Sequence, residues 1–225
     1  MQEVLSSRVV HHDENAFRVL VKVQRDERGN EMSLEKDGRP DPHQYFMGIA
    51  IAVRKRANCL GSRIGAVIVQ KGRIVSTGYN GTPENMPNCL DGGCHRCANR
   101  DKYPSGTGYD LCICVHAEQN AILAAARFGI PVEGSTVYTT MRPCFSCTKE
   151  LLQAKVVAVY YLHDWSHPNP SHKAEYERLQ AGFPQGIRKI EMDDPEVSWA
   201  TAPRPKAAAE DRASMSPDQH GGQDI

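Results

Sequence analysis

The chain has 225 residues, 40% hydrophobic and 24% charged, the composition of a soluble globular protein with length for one domain and some to spare. No apolar run approaches the ~18 residues that cross a bilayer, and the start carries no basic segment leading into an apolar one, so a membrane span and a secretion signal are excluded and the cytoplasm is the expected compartment. Lys plus Arg (27) balances Asp plus Glu (27), which removes the global positive field that grips a phosphate backbone. Residues 1–42 mix a short apolar stretch, Phe17 to Val23, with charges and turn-formers ending in Gly38-Arg39-Pro40-Asp41-Pro42, and read as an extension and linker. From His43 the apolar residues Phe46, Met47, Ile49, Ala50 and Val53 recur at helical spacing and run into Arg54-Lys55-Arg56, predicting an amphipathic helix with a solvated basic end. Gly65 to Val69 and Arg73 to Thr77, around Lys71-Gly72, predict a hairpin of buried strands closed by Gly78-Tyr79-Asn80-Gly81.

Thr82 to Tyr109 is rich in Pro, Gly, Asn and Asp and lacks periodicity; a loop this long is functional or is held by something other than a core. A helix is predicted over 116–128, stopped by Gly129 and Pro131, then a strand over 135–140, a helix over 144–154 and a strand over 156–162. Glu175 to Gln180 ends a further helix, and 187–192 is a last strand. Alternating strands and helices argue an α/β layered sheet with functional residues at strand ends and helix starts. From Asp193 the composition turns to Pro, Ala, Ser, Gln, Asp and Gly, which buries too little to offset chain entropy and predicts a disordered tail over 193–225.

Two helix starts carry the chemistry. In Pro143-Cys144-Phe145-Ser146-Cys147 the thiols are three apart, so they share one helix face in a first turn whose dipole favours thiolate. In His116-Ala117-Glu118 the two polar residues point in different directions, which leaves Glu118 free for a task other than ligation. One His and two Cys leave a coordination position open, the arrangement of a catalytic zinc, which lowers the pKa of bound water towards about 7; Glu118 is then placed to shuttle protons. Six further cysteines, Cys59, Cys89, Cys94, Cys97, Cys112 and Cys114, exceed what burial explains, and a structureless loop gains most from a metal clip. They predict a second, structural zinc held by four thiolates, or by three with His95. Cys94 and Cys97 form its knuckle, and spacing leaves Cys112 and Cys114 in competition for the rest.

The order H-x-E then P-C-x-x-C is the signature of the zinc nucleobase deaminases. At these residues the chain resembles the cytidine and deoxycytidylate deaminase superfamily, and most of all the cysteine-rich dCMP deaminases of fungi and bacteria. The resemblance covers 43–192 and includes Ser62-Arg-Ile-Gly-Ala-Val-Ile-Val69, Gly78-Tyr-Asn-Gly-Thr-Pro83, Cys89, Gly93-Cys94-His-Arg-Cys97, Cys112-Ile-Cys-Val-His-Ala-Glu118 and Pro143-Cys-Phe-Ser-Cys147.

The resemblance implies a three-layer α/β/α fold around a mixed sheet of about five strands, with the cysteine-rich insert at 82–114. It implies zinc-dependent hydrolysis of dCMP to dUMP and ammonia for thymidylate synthesis, the alternatives being another cytosine nucleotide (CMP, a methylated dCMP or a natural-product nucleotide), a polynucleotide, or a zinc module that binds nucleic acid. Glu118 would pass protons to N3 and to the leaving amine, Asn80 would contact the deoxyribose, and Cys59 and Cys89 would join Cys94 and Cys97 at the structural zinc. A homo-oligomer, commonly a hexamer, with Arg127 at an assembly position and with dCTP, taken with Mg2+, and dTTP as effectors, is also implied. Arg96, Arg100 and Lys102 are placed either to meet the 5′-phosphate or to make surface pairs, and His163, Asp164 and Trp165 either to line the pocket or to pack at its rim, while His167 and His172 read as surface.

Overall fold

The computed structural model describes residues 39–103, 107–167 and 169–198, and the backbone of 24–25 and 31–32. Contacts divide the chain after Asp41. In the first unit the described residues form an antiparallel pair, β1 (Gln24–Arg25) with β2 (Glu31–Met32).

The second unit is built on a five-stranded sheet: β3 (Gly65–Gln70), β4 (Arg73–Tyr79), β5 (Thr136–Met141), β6 (Ala158–His163) and β7 (Ile187–Lys189), in the order β4-β3-β5-β6-β7. β3 pairs antiparallel with β4 and β5, while β5–β6 and β6–β7 are parallel, so the sheet is mixed, as the resemblance implied. Strand β3 shows why two helical layers form. Its residues alternate in direction, so Val67 and Val69 pack on one face with Phe46, Met47, Ala50 and Ile51 of α1 (Pro42–Arg54), and Ala66 and Ile68 pack on the other with Ala117 and Ala121 of α3 (Ala117–Arg127). Each of the larger of these side chains, Val, Ile, Met or Phe, contributes about 1.5–3 kcal/mol by its burial.

Two glycines set how closely the helices lie on the sheet. A Cβ on Gly65 would sit 2.2 Å from the Ala50 carbonyl oxygen in α1, and one on Gly78 would sit 2.2 Å from the Ala117 carbonyl oxygen and 2.4 Å from the Ala121 nitrogen in α3. The first turn of α3, with His116 just before it, is thereby seated on β4. The remaining helices are the four-residue α2 (His95–Ala98), α4 (Phe145–Gln153) and α5 (Pro170–Gln180). α5 ends at Gln180 as expected, and its start, which the sequence reading left open, is set by Asn169, which accepts from the Ser171 and His172 backbone N–H groups, and by Pro170 in the first turn. β7 is shorter than expected.

The ends of the domain correct two expectations. Arg54 does not belong to a solvated basic face: its side chain is fully buried and makes a double hydrogen bond to Asp194, both contacts at 2.6 Å. Asp194 also holds His163 Nε2 at 2.6 Å, so the polypeptide is built into the domain past Met192. The expected disordered tail therefore does not begin at Asp193; residues 199–225 lie outside the described residues. Among the described residues no helix is long and apolar enough to cross a membrane.

Candidate active site

His116 immediately precedes α3, and Cys144 immediately precedes α4; Cys147 lies in the first turn of α4. The two helix starts are tied together. Gln119 accepts from the His116 backbone N–H at 2.9 Å, and its side-chain amide donates to Glu150 of α4 at 2.9 Å. His116 Nδ1 lies 3.4 Å from both sulfurs. Zn–N of about 2.0–2.1 Å and Zn–S of about 2.3 Å in a tetrahedron require an N···S edge of roughly 3.5 Å, so the three atoms fit one zinc. The electrostatics agree. Bonding from Cys147 and from His116 brings the Cys144 thiol down to about 4 despite its burial, and the bond to Cys144 takes the His116 imidazole up to about 9, although burial alone would lower it. The position readily acquires the thiolate that a metal needs.

Glu118 is 3% exposed and does not join the trio. The Thr139 hydroxyl of β5 donates to its Oε1 at 2.8 Å. Burial pushes its carboxyl above the usual carboxylate range, with His116 opposing. A buried carboxyl so poised beside a metal site can both take up and return a proton.

His116 and Cys144 of the trio line a cavity of about 660 Å³, with Lys149, Trp165, His167 and His172 also in its wall. Trp165 is where the sequence put it. His163 is instead bonded to Asp194, and Asp164 lies 3.3 Å from Arg142, which in turn donates to Gln180. The expected phosphate set is also displaced: Arg96 donates to the Thr107 carbonyl, Arg100 to the Leu60 carbonyl and Lys102 to Asn99, and none of the three lines the cavity. Its basic side chains are Lys149, His167 and His172, which the sequence reading missed. The signals were present: Phe145, Ser146 and Lys149 share a face of α4, and Asn169-Pro170 marks the helix start that carries His172. Asn80 is buried and outside the cavity lining; its Oδ1 accepts from the Ile64 N–H at 2.7 Å and its Nδ2 donates to the Ser62 carbonyl at 2.8 Å, bracing the turn before β3.

The six remaining cysteines converge on one place. Cys59, Cys89, Cys97 and Cys114 form one group with all sulfurs within 4.8 Å of one another, and Cys94, Cys97, Cys112 and Cys114 form another. The quartet expected from sequence, Cys59, Cys89, Cys94 and Cys97, is neither of these: Cys94 falls in the second group, and Cys114 completes the first. His95 is exposed and stacks edge-on with Tyr103, away from the sulfurs.

The description "Cytidine and deoxycytidylate deaminase zinc-binding region" matches residues 40–163. Among curated proteins, the chain is 38% identical over 135 residues to a deoxycytidylate deaminase of Saccharomyces cerevisiae, covering 60% of this chain and 42% of that one. It is 39% identical over 160 residues to the deoxycytidylate deaminase of Schizosaccharomyces pombe, covering 71% and 47%. The chain thus spans about half the length of these curated relatives. A crystal structure of dCMP deaminase from the cyanophage S-TIM5, in complex with dCMP and dUMP, superposes with a TM-score of 0.52 at 26% identity, covering 68% of this chain and 98% of that one.

Proposed function

The chain belongs to the cytidine and deoxycytidylate deaminase family through its zinc-binding region, and from that premise we propose that it hydrolyses dCMP to dUMP and ammonia, the dUMP serving thymidylate synthesis. The observation that carries the reading is the meeting of His116, Cys144 and Cys147, the first two at the wall of a cavity, with the carboxyl of Glu118 buried beside them within electrostatic reach of His116 and Cys144. His116, Cys144 and Cys147 would hold a catalytic Zn2+, which when bound supplies a Lewis acid that makes water a nucleophile near neutral pH.

The protein's own part is proton handling and positioning. Water adds at C4 of cytosine and the C4–N4 bond breaks. Glu118 takes a proton from the water, delivers it to N3, and later delivers the second to the departing amine, so that dCMP and water become dUMP and ammonia. The Thr139 hydroxyl fixes the Glu118 oxygen that it bonds. Lys149, His167 and His172 are the side chains proposed to meet the 5′-phosphate, replacing Arg96, Arg100 and Lys102 in that role. Asn80, with one amide hydrogen beyond its bond to Ser62, keeps the donor that a sugar hydroxyl takes.

The proposal extends to the cytoplasm as the site of action, to control by dCTP with Mg2+ and by dTTP, and to a homo-oligomer. Leu123 on α3 and Phe128 just after it, 53% and 75% exposed around Arg127, support the last.

The test is a steady-state screen of ammonia release from ribo- and deoxycytidine mono-, di- and triphosphates and from single-stranded DNA, with Glu118→Gln alongside. dCMP should give the highest kcat/KM, and Glu118→Gln should lower it about 10²–10⁴-fold while keeping the zinc content. A higher kcat/KM on CMP or on DNA, or full activity in the variant, overturns the assignment.

A further inference from the structure

We propose that the six cysteines outside the active site bind two zinc ions as one thiolate-bridged pair, with Cys97 and Cys114 as the bridges, Cys59 and Cys89 completing one ion's shell and Cys94 and Cys112 the other's. This differs from the single four-cysteine zinc that the spacing suggested, and it does not depend on the activity proposed above.

Three observations carry it. The first is the composition of the two groups. Each has four sulfurs within 4.8 Å of one another, and they overlap in two members, Cys97 and Cys114. Two tetrahedra that share an edge have six corners, two common and four terminal, which is the arrangement of these side chains.

The second is distance. Zinc at about 2.3 Å from each sulfur of a tetrahedron gives sulfur–sulfur edges of about 3.8 Å. Cys59–Cys97, in the first group, is 3.8 Å; Cys94–Cys112 and Cys97–Cys112, in the second, are 3.8 and 3.9 Å. All six residues are unbridged by disulfides. Both groups therefore have the spacing of a metal shell, and neither is distinguished as the sole site.

The third is the hydrogen bonding of the terminal sulfurs. Cys89 Sγ accepts from the Leu60 N–H and Cys59 Sγ from the Gly61 N–H, each at 3.3 Å. At Cys94 burial pushes the thiol up, with the Cys97 and Ile113 backbone groups opposing. Backbone donors aimed at sulfur favour thiolate, and they serve both groups. Six thiolates packed this closely repel one another strongly; one divalent ion offsets only part of that charge, whereas two leave the cluster with a net charge of about −2 (by count of formal charges).

The site also answers a need of the fold. Among the described residues, 82–103 and 107–114 contain only short helical turns, and the buried cluster there consists of cysteines. The pair would tie the turn after α1 (Cys59), the turn at Cys89, the start of α2 (Cys94 just before it, Cys97 within it) and the segment leading to α3 (Cys112, Cys114) at one point. Cys112 and Cys114 also line the active-site cavity, and Cys114 is two residues from His116. Closing several loops at once is where metal clips stabilise most.

The experiment uses the full chain purified with zinc and with no chelator. Native mass spectrometry and elemental analysis should find three zinc ions per chain, and Cys144→Ser should lower the count to two. With 113Cd in place of zinc, two resonances in the all-thiolate region should split each other through the shared sulfurs, a signal that two separate sites do not give. A count of two in the unaltered chain, iron in place of zinc, or two uncoupled cadmium resonances overturns the bridged pair. A count that stays at three in Cys144→Ser instead refutes the active-site trio and leaves the bridged pair standing, so the two failures are distinguishable.

Discussion

Asp194→Ala removes the carboxylate from a buried ion pair and leaves the Arg54 guanidinium, fully buried, without its two hydrogen bonds to Asp194. Breaking a buried pair from one side costs about 3–5 kcal/mol, because the stranded charge keeps its desolvation penalty. Glu196, 3.6 Å from Arg54 and 22% exposed, takes up part of the charge, which places the expected cost at the lower end, about 3 kcal/mol. For a chain of this size each kcal/mol moves Tm by about 2–4 °C, so thermal unfolding followed by circular dichroism should show a drop of about 6–12 °C. Truncation after Met192 should do at least as much. The double variant Arg54→Met, Asp194→Leu should recover most of the loss, since an apolar pair of similar volume carries no stranded charge. The pH dependence has a definite sign. Burial pushes the Asp194 carboxyl up, but the bonds from Arg54 and His163 outweigh it and hold the group well below the usual carboxylate range. A depressed carboxyl contributes stability that is complete above its unfolded pKa, about 3.9, and that is lost as pH falls below that value. The unaltered protein should thus lose stability below about pH 4 by an increment that Asp194→Ala lacks. A Tm shift under about 2 °C in both Asp194→Ala and the truncation would refute the reasoning.

Two further outcomes are expected. Gly78→Ala forces a Cβ to within 2.4 Å of backbone atoms in α3, so it should destabilise by about 1–3 kcal/mol in urea titration; it should also lower kcat, because the displaced helix carries Glu118, whereas Gly72→Ala, whose added Cβ meets nothing within 4 Å, should leave kcat unchanged. Lys149→Ala should raise KM for dCMP about tenfold or more, consistent with a charged hydrogen bond of about 1.5–3 kcal/mol, while turnover of deoxycytidine, which lacks the phosphate, stays as it was.

The local part of this protein is written in short spacings. Two thiols three residues apart must share a helix face, and a histidine and glutamate two apart must diverge, so the pairing of Cys144 with Cys147 and the separate direction of Glu118 followed from helical geometry before any fold was known. The uninterrupted apolar run from Gly65 to Val69 likewise marked a buried strand. What spacing cannot contain is which distant segments meet. Arg54 reads as one of three exposed basic residues until Asp194, 140 positions away, closes over it. Lys149 and His172 lie on two different helices, and their meeting at one cavity depends on how α4 and α5 pack. The six cysteines could be counted from the chain, but that Cys97 and Cys114 belong to both groups is a fact about four segments brought to one point. Neighbours along a helix or strand are dictated by backbone geometry alone, whereas contacts between segments are chosen by the burial of the whole core, and only the tertiary structure records that choice.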